Sequence, residues 1–144
     1  MNLKVEVNLN EEMTETEYYK MESLERAICD MFMVRRDDLI GKNRMAYIVT
    51  PRHVLYYMAY MYTPNTLPAI GRRLGRDHTT ILYGVQKVRE QKLRNKALAA
   101  KIEEVHMLAL AYEEQIQNGL EEIREEVQDM IDRIKMEKVN HGLR

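Results

Sequence analysis

"TLPAIGRRLGRDHTTILYGVQKV", residues 66–88, decides the fold. Thr66 has the side chain of a helix cap, Leu67 begins the turn after it, and Pro68 sits in that first turn, where its missing N–H costs nothing. Ile70 and Leu74 follow at a four-residue spacing, so the helix is short and buries one face. Gly75-Arg76 makes a corner. Asp77 then caps a second helix, whose inward stripe is Ile81, Leu82, Val85 and Val88. A short helix, a tight glycine corner and a longer capped helix make a helix-turn-helix. His78, Thr79 and Thr80 fall on the first turn of the second helix. Polar side chains there face outward, and each offers a donor or acceptor suited to a base edge in the major groove. Arg72, Arg73, Arg76, Lys87 and Arg89 add positive charge beside them, of the kind that holds phosphates without reading sequence.

The charge distribution along the chain agrees. The 144 residues carry a formal net charge of -1. Residues 1–34 hold 3 Lys/Arg against 8 Asp/Glu, residues 35–96 hold 13 against 4, and residues 97–144 hold 6 against 11. A basic middle between acidic ends points to a polyanion partner for the middle.

Before the motif, Leu3, Val5, Val7 and Leu9 alternate with polar residues and read as a tail, residues 1–13. Thr14 with Glu17 forms a capping box, and Tyr18, Met21, Leu24, Ile28 and Met31 predict a helix over 15–33. A short turn at 37–40 and the breaker Gly41-Lys42-Asn43 come next. Thr50-Pro51 reads as an N-cap with proline at the first helical position, which predicts a helix over 51–62 ended by Thr63-Pro64-Asn65. The DNA-binding domain is therefore expected over 14–92.

Beyond it, residues 93–144 carry two amphipathic stripes. The first is Leu93, Ala97, Ile102, Val105, Ala109, Tyr112 and Ile116; the second is Leu120, Ile123, Val127, Ile131 and Ile134. Asn118-Gly119 lies between them and favours a helix end. The pattern predicts a hairpin or one long helix with a weak point. Heptads along these stripes fail past Ile116, which favours the hairpin or a short bundle over a regular coiled coil. Residues 97–138 are the expected seat of a homodimer or protein partner.

Other classes of function find no footing. No glycine starts a phosphate loop of the form G-x-x-x-x-G-K-[ST], so neither a nucleotide nor ATP hydrolysis is expected. His53, His78, His106 and His141 lack the spacing of a zinc site, and His106 and His141 read as solvated surface residues. Cys29 stands alone in an apolar helical pattern and reads as a small buried group. No nucleophile or carboxylate pair stands at catalytic spacing, so no enzyme and no cofactor are expected. With no signal segment and no apolar run of about 18 residues, the expected location is the cytoplasm, at the nucleoid.

Three pieces, "RMAYIVTPRHVLYYMA", "LPAIGRRLG" and "RDHTTILYGVQKV", occur in an order and spacing that resemble the C-terminal DNA-binding domain of the bacterial replication initiator DnaA. The resemblance spans about residues 24–89. It implies an all-α domain of the DnaA C-terminal, Trp-repressor-like type, binding double-stranded DNA at a short site, the DnaA box, in control of replication or transcription. It also implies roles. Asp77, His78, Thr79 and Thr80 approach the major groove, Arg44 enters the minor groove, Arg52 contacts DNA, and Leu67 and Pro68 bring the short helix to the backbone. The chain departs from the family pattern at several places. One glycine, Gly75, stands where two are common, His53 replaces a frequent glutamine, Ala46 a basic loop residue, and Tyr60 a lysine. The alternative function is a protein-interaction module that uses the C-terminal helices, with DNA binding as a tether.

Overall fold

The computed structural model describes residues 18–142, which form helices only: α1 Met21–Phe32, α2 Arg36–Ile40, α3 Ala46–Tyr62, α4 Leu67–Leu74, α5 His78–Arg94 and α6 Lys96–Gly142. Two compact units divide the chain between Tyr112 and Glu113.

The first unit is built around α3. Val54, Leu55, Tyr56, Tyr57, Met58, Ala59 and Tyr60 are consecutive and all buried. A helix that is apolar all round must be enclosed by others. α1 supplies Met21, Leu24, Ala27 and Ile28 to that enclosure, α4 supplies Ile70 and Leu74, and α5 supplies Ile81, Val85 and Val88. Leu82, expected in the α5 stripe, is only half-buried, and Gly84 takes its place facing the core. A Cβ on Gly84 would lie 2.6 Å from Cδ2 of Tyr56, so glycine lets α5 approach α3 closely.

Several boundaries differ from those read in the sequence. α3 begins at Ala46, not after Thr50, and Pro51 lies inside it. Ile48 explains the earlier start, because it is fully buried and needs the added turn to reach the core. Asn43 Oδ1 accepts from Met45 N–H at 3.0 Å and sets that turn. α1 starts at Met21 rather than at 15, because residues 18–20 run non-helically to dock Tyr19. The Tyr19 N–H donates to Tyr62 O at 3.1 Å. The Thr14–Glu17 box and the alternating tail lie outside the described residues.

Nor does the first unit end near residue 92. Asn95 breaks the chain between α5 and α6, and its Oδ1 caps α6 by accepting from Leu98 N–H at 3.1 Å. Leu98, Ile102, Val105 and Ala109 then fall on one face and are buried in the same core as α1–α5. The break shifts the helical phase, which leaves Leu93 exposed although the sequence stripe includes it. His106, expected at the surface, is held inside an aromatic cluster. Its ring centroid is 4.5 Å from that of Tyr62, and its Nδ1 is 3.0 Å from the Tyr19 hydroxyl. Burial pushes the Tyr19 phenol well above its ordinary pKa, so the hydroxyl keeps its proton while it pairs with His106.

In the second unit, residues 113–142 are one helix, the end of α6. Asn118-Gly119 does not break it, so of the two expected forms, a hairpin or one long helix, it is the long helix. A left-handed residue after Asn-Gly is available to the backbone but is not required, and a Cβ on Gly119 would meet nothing within 4 Å.

Candidate nucleic-acid interface

The corner between α4 and α5 is fixed by local chemistry. Thr66 Oγ1 accepts from Ala69 N–H at 3.3 Å and Pro68 occupies the first turn. Gly75 takes a left-handed conformation, φ 65°, that L side chains rarely adopt. The Arg76 N–H then returns to Gly71 O at 2.8 Å. A Cβ at Gly71 would lie 2.5 Å from Arg76 O, so two glycines four residues apart hold this corner. The Asp77 carboxylate accepts from Thr79 N–H at 3.1 Å. That bond holds its carboxyl below the usual carboxylate range, so α5 is capped by a stable negative charge. His78, Thr79 and Thr80 are exposed on the first turn of α5, with His78 Nδ1 3.2 Å from Asp77 Oδ1. Tyr83, one turn further on, is also exposed and lies edge-on to His53, ring centroids 5.9 Å apart. Sequence reasoning passed over Tyr83, although its four-residue step from Thr79 was the available signal.

The arginines fall into two groups that the sequence does not distinguish. Arg73 is committed to carboxylates: it lies 2.6 Å from Oε1 of Glu25 and 3.4 Å from Glu22. Glu25 is buried, and Arg36 reaches its other oxygen at 2.7 Å. One carboxylate thus ties α1 to α2 and α4, and Arg73 holds the short helix in place instead of standing ready for a phosphate. Arg52 is buried as well. Its guanidinium donates to Leu39 O at 3.0 Å, Asn43 O at 2.9 Å and Asp38 O at 2.7 Å. Those carbonyls include ones left open at the end of α2, and a cation there suits both their lone pairs and the helix dipole. The resemblance implies a DNA contact for Arg52; in this structure all three of its donor nitrogens are occupied internally. Arg76 also turns inward, donating to Gly41 O.

These inward arginines fix the loop that carries Arg44. Gly41 is fastened to the α4–α5 corner by Arg76, Asn43 to α3 by Arg52, and Met45 to Asn43 by its amide. Arg44 itself is exposed between two fastened neighbours. Among the described residues the side chains of Arg44, Arg72, Lys42, Lys87 and Arg89 have no ion-pair or hydrogen-bond partner. The structure therefore brings the α5 first turn and the Arg44 loop into one fastened assembly, with Leu67 half-buried and Pro68 exposed at the start of α4. Arg52 and Arg73 are instead held by partners within the chain.

No three His, Cys, Asp or Glu side chains converge on a common point among the described residues. No helix among them is long and apolar enough to cross a membrane.

Comparison with known proteins assigns the motif. Residues 21–88 match the family described as the bacterial dnaA protein helix-turn-helix. The chain is 39% identical over 90 residues to the chromosomal replication initiator protein DnaA of Bartonella quintana, covering 62% of this chain and 18% of that protein. It is 39% identical over 92 residues to the DnaA of Cereibacter sphaeroides strain ATCC 17029, covering 63% and 20%. With the DnaA of Rhodopseudomonas palustris strain BisB18 it shares 40% over 85 residues, covering 58% and 18%. The chain thus spans about a fifth of the length of these relatives. Residues 21–88 carry a helix-turn-helix domain of the bacterial DnaA family.

Proposed function

We propose that this chain binds double-stranded DNA at sites like the DnaA box and acts in the control of replication initiation or transcription without hydrolysing ATP. The observation that carries the reading is the outward first turn of α5, with His78, Thr79 and Thr80 exposed beside a fastened loop that presents Arg44. His78 and the threonines supply donors, acceptors and a methyl group for base edges. Arg44, exposed on that loop, would enter a narrow minor groove, where the negative potential is strongest. Arg72, Lys87 and Arg89 hold phosphates and set register. Acting on DNA places the protein in the cytoplasm, at the nucleoid.

Fluorescence anisotropy with a labelled box duplex and a scrambled duplex, at two salt concentrations, tests this reading. The expected result is a preference for the box that persists at higher salt, lost in His78→Ala and Arg44→Ala. Equal, salt-sensitive binding to both duplexes would defeat it. Lys87→Ala is expected to weaken binding to both duplexes and to reduce the logarithmic salt slope by about 0.9.

A further inference from the structure

The second unit holds a pattern that DNA binding does not use. Ile116, Leu120, Ile123, Val127, Met130 and Ile134 follow one another at steps of 4, 3, 4, 3 and 4 residues. All six are exposed, from 37% to 58%, and Ile131 on their flank is 40% exposed. The stripe read through Ile131 breaks the heptad; read through Met130 it does not. Six apolar positions on a 3.5-residue repeat form a seam that stays in line only against another helix of the same repeat, whose side chains interlock with it. Residues 113–142 are a single helix, so their own unit contains nothing to cover that seam.

We propose that a second copy of this chain covers it, pairing residues 116–134 of two chains as a coiled coil. Charge excludes DNA as the occupant: residues 113–142 hold 9 Asp/Glu against 4 Lys/Arg, and a phosphate backbone is repelled. Area fits a dimer. The exposed surface of the seam with Ile131 is on the order of 700 Å² per chain, close to the roughly 800 Å² that each partner gives a stable interface. The patch is self-complementary as a twofold interface requires, because apolar positions recur at every layer from 116 to 134 and no polar residue sets a different register. Glu121, Glu122, Glu125, Asp129 and Asp132 fall on the opposite side and keep the pair solvated. Two copies joined in this way carry two first units, so neighbouring sites would be held with avidity. That consequence rests on the proposed function; the pairing itself does not.

Sedimentation equilibrium of the full chain without DNA tests the pairing. The expected mass is twice 17.1 kDa, falling toward 17.1 kDa on dilution. Ile123→Glu with Val127→Glu places two charges in the seam and is expected to weaken self-association by more than about a hundredfold. Glu125→Lys, on the opposite side, is expected to leave the dimer intact. Near-UV circular dichroism of the tyrosines, all nine of which lie in the first unit, is expected to be unchanged in all variants. A mass of 17.1 kDa for the parent at every concentration would overturn the proposal. So would a double variant that still shows the parent's mass.

Discussion

Replacing Arg52 with alanine separates a support from a DNA contact, because the two roles predict opposite outcomes in two measurements. The guanidinium makes three hydrogen bonds of 2.7–3.0 Å to carbonyls of residues 38, 39 and 43, from a side chain that is buried. A hydrogen bond to a charged group contributes about 1.5–3 kcal/mol net, but three bonds from one group are not additive, and carbonyls near a loop regain water. The expected loss of stability is therefore about 3 kcal/mol, a large share of the 5–15 kcal/mol typical of a domain. In a unit of this size that loss lowers the thermal midpoint by roughly 15 °C. Lysine does not rescue it, since one ammonium cannot reach three carbonyls set in a fork. The assays are urea unfolding followed by tyrosine fluorescence, and box binding at several salt concentrations well below the unfolding temperature. Affinity is expected to fall because the Arg44 loop loosens, while the logarithmic salt slope stays within error of the parent, since Arg52 neutralises no phosphate. A slope reduced by about 0.9 with stability within about 0.5 kcal/mol of the parent would refute the buried clamp.

Two further outcomes follow from the corner and from His53. Gly71→Ala places a Cβ 2.5 Å from Arg76 O, so the corner must shift; the expected cost is about 1–3 kcal/mol, read by urea unfolding, with weaker box binding. Burial, and then Arg52 and Lys87, depress the His53 pKa below its ordinary 6.5, so as pH falls the unfolded chain takes up the proton first. Stability from this group is thus complete above about pH 6.5 and declines as pH falls below it. His53→Gln is expected to reduce the fall in the urea midpoint between pH 7.5 and pH 5.5, and an unchanged fall would assign the acid sensitivity to other groups.

What could be read from the sequence was what neighbouring residues decide. Thr66 and Asp77 cap their helices through amides two or three residues away, and Gly75 turns the chain by its own φ, so the motif stood out in a single line of letters. The start of α3 could not be placed in the same way. Thr50-Pro51 is a sound local signal, but the complete burial of Ile48 outweighs it. The sorting of the arginines is likewise non-local: Arg73 meets Glu25 from 48 residues away, and Arg52 reaches carbonyls 9 to 14 residues back. From composition each looked like available charge. His106 was misplaced for the same reason, since its partner Tyr19 lies 87 residues earlier. In the last helix Asn-Gly suggested an end, whereas the break falls at Asn95, where a side-chain cap to Leu98 rewards it.

The seat of Tyr19, Tyr62 and His106 bears on how this helix-turn-helix domain is cut out or transplanted. Family resemblance marks residues 21–88 as the portable piece. That piece leaves out Tyr19 and the stretch holding Leu98, Ile102, Val105, His106 and Ala109, which close one side of the core. Tyr112 adds a further link, with its ring 3.8 Å from the Arg26 guanidinium and its hydroxyl bonded to Asp30. A fusion or minimal fragment built on the matched residues alone would expose an apolar wall and lose the residues that tie α1 to the first part of α6. The first unit runs on through Tyr112, and a designer who trims to the homology would be removing structure along with what looks like linker.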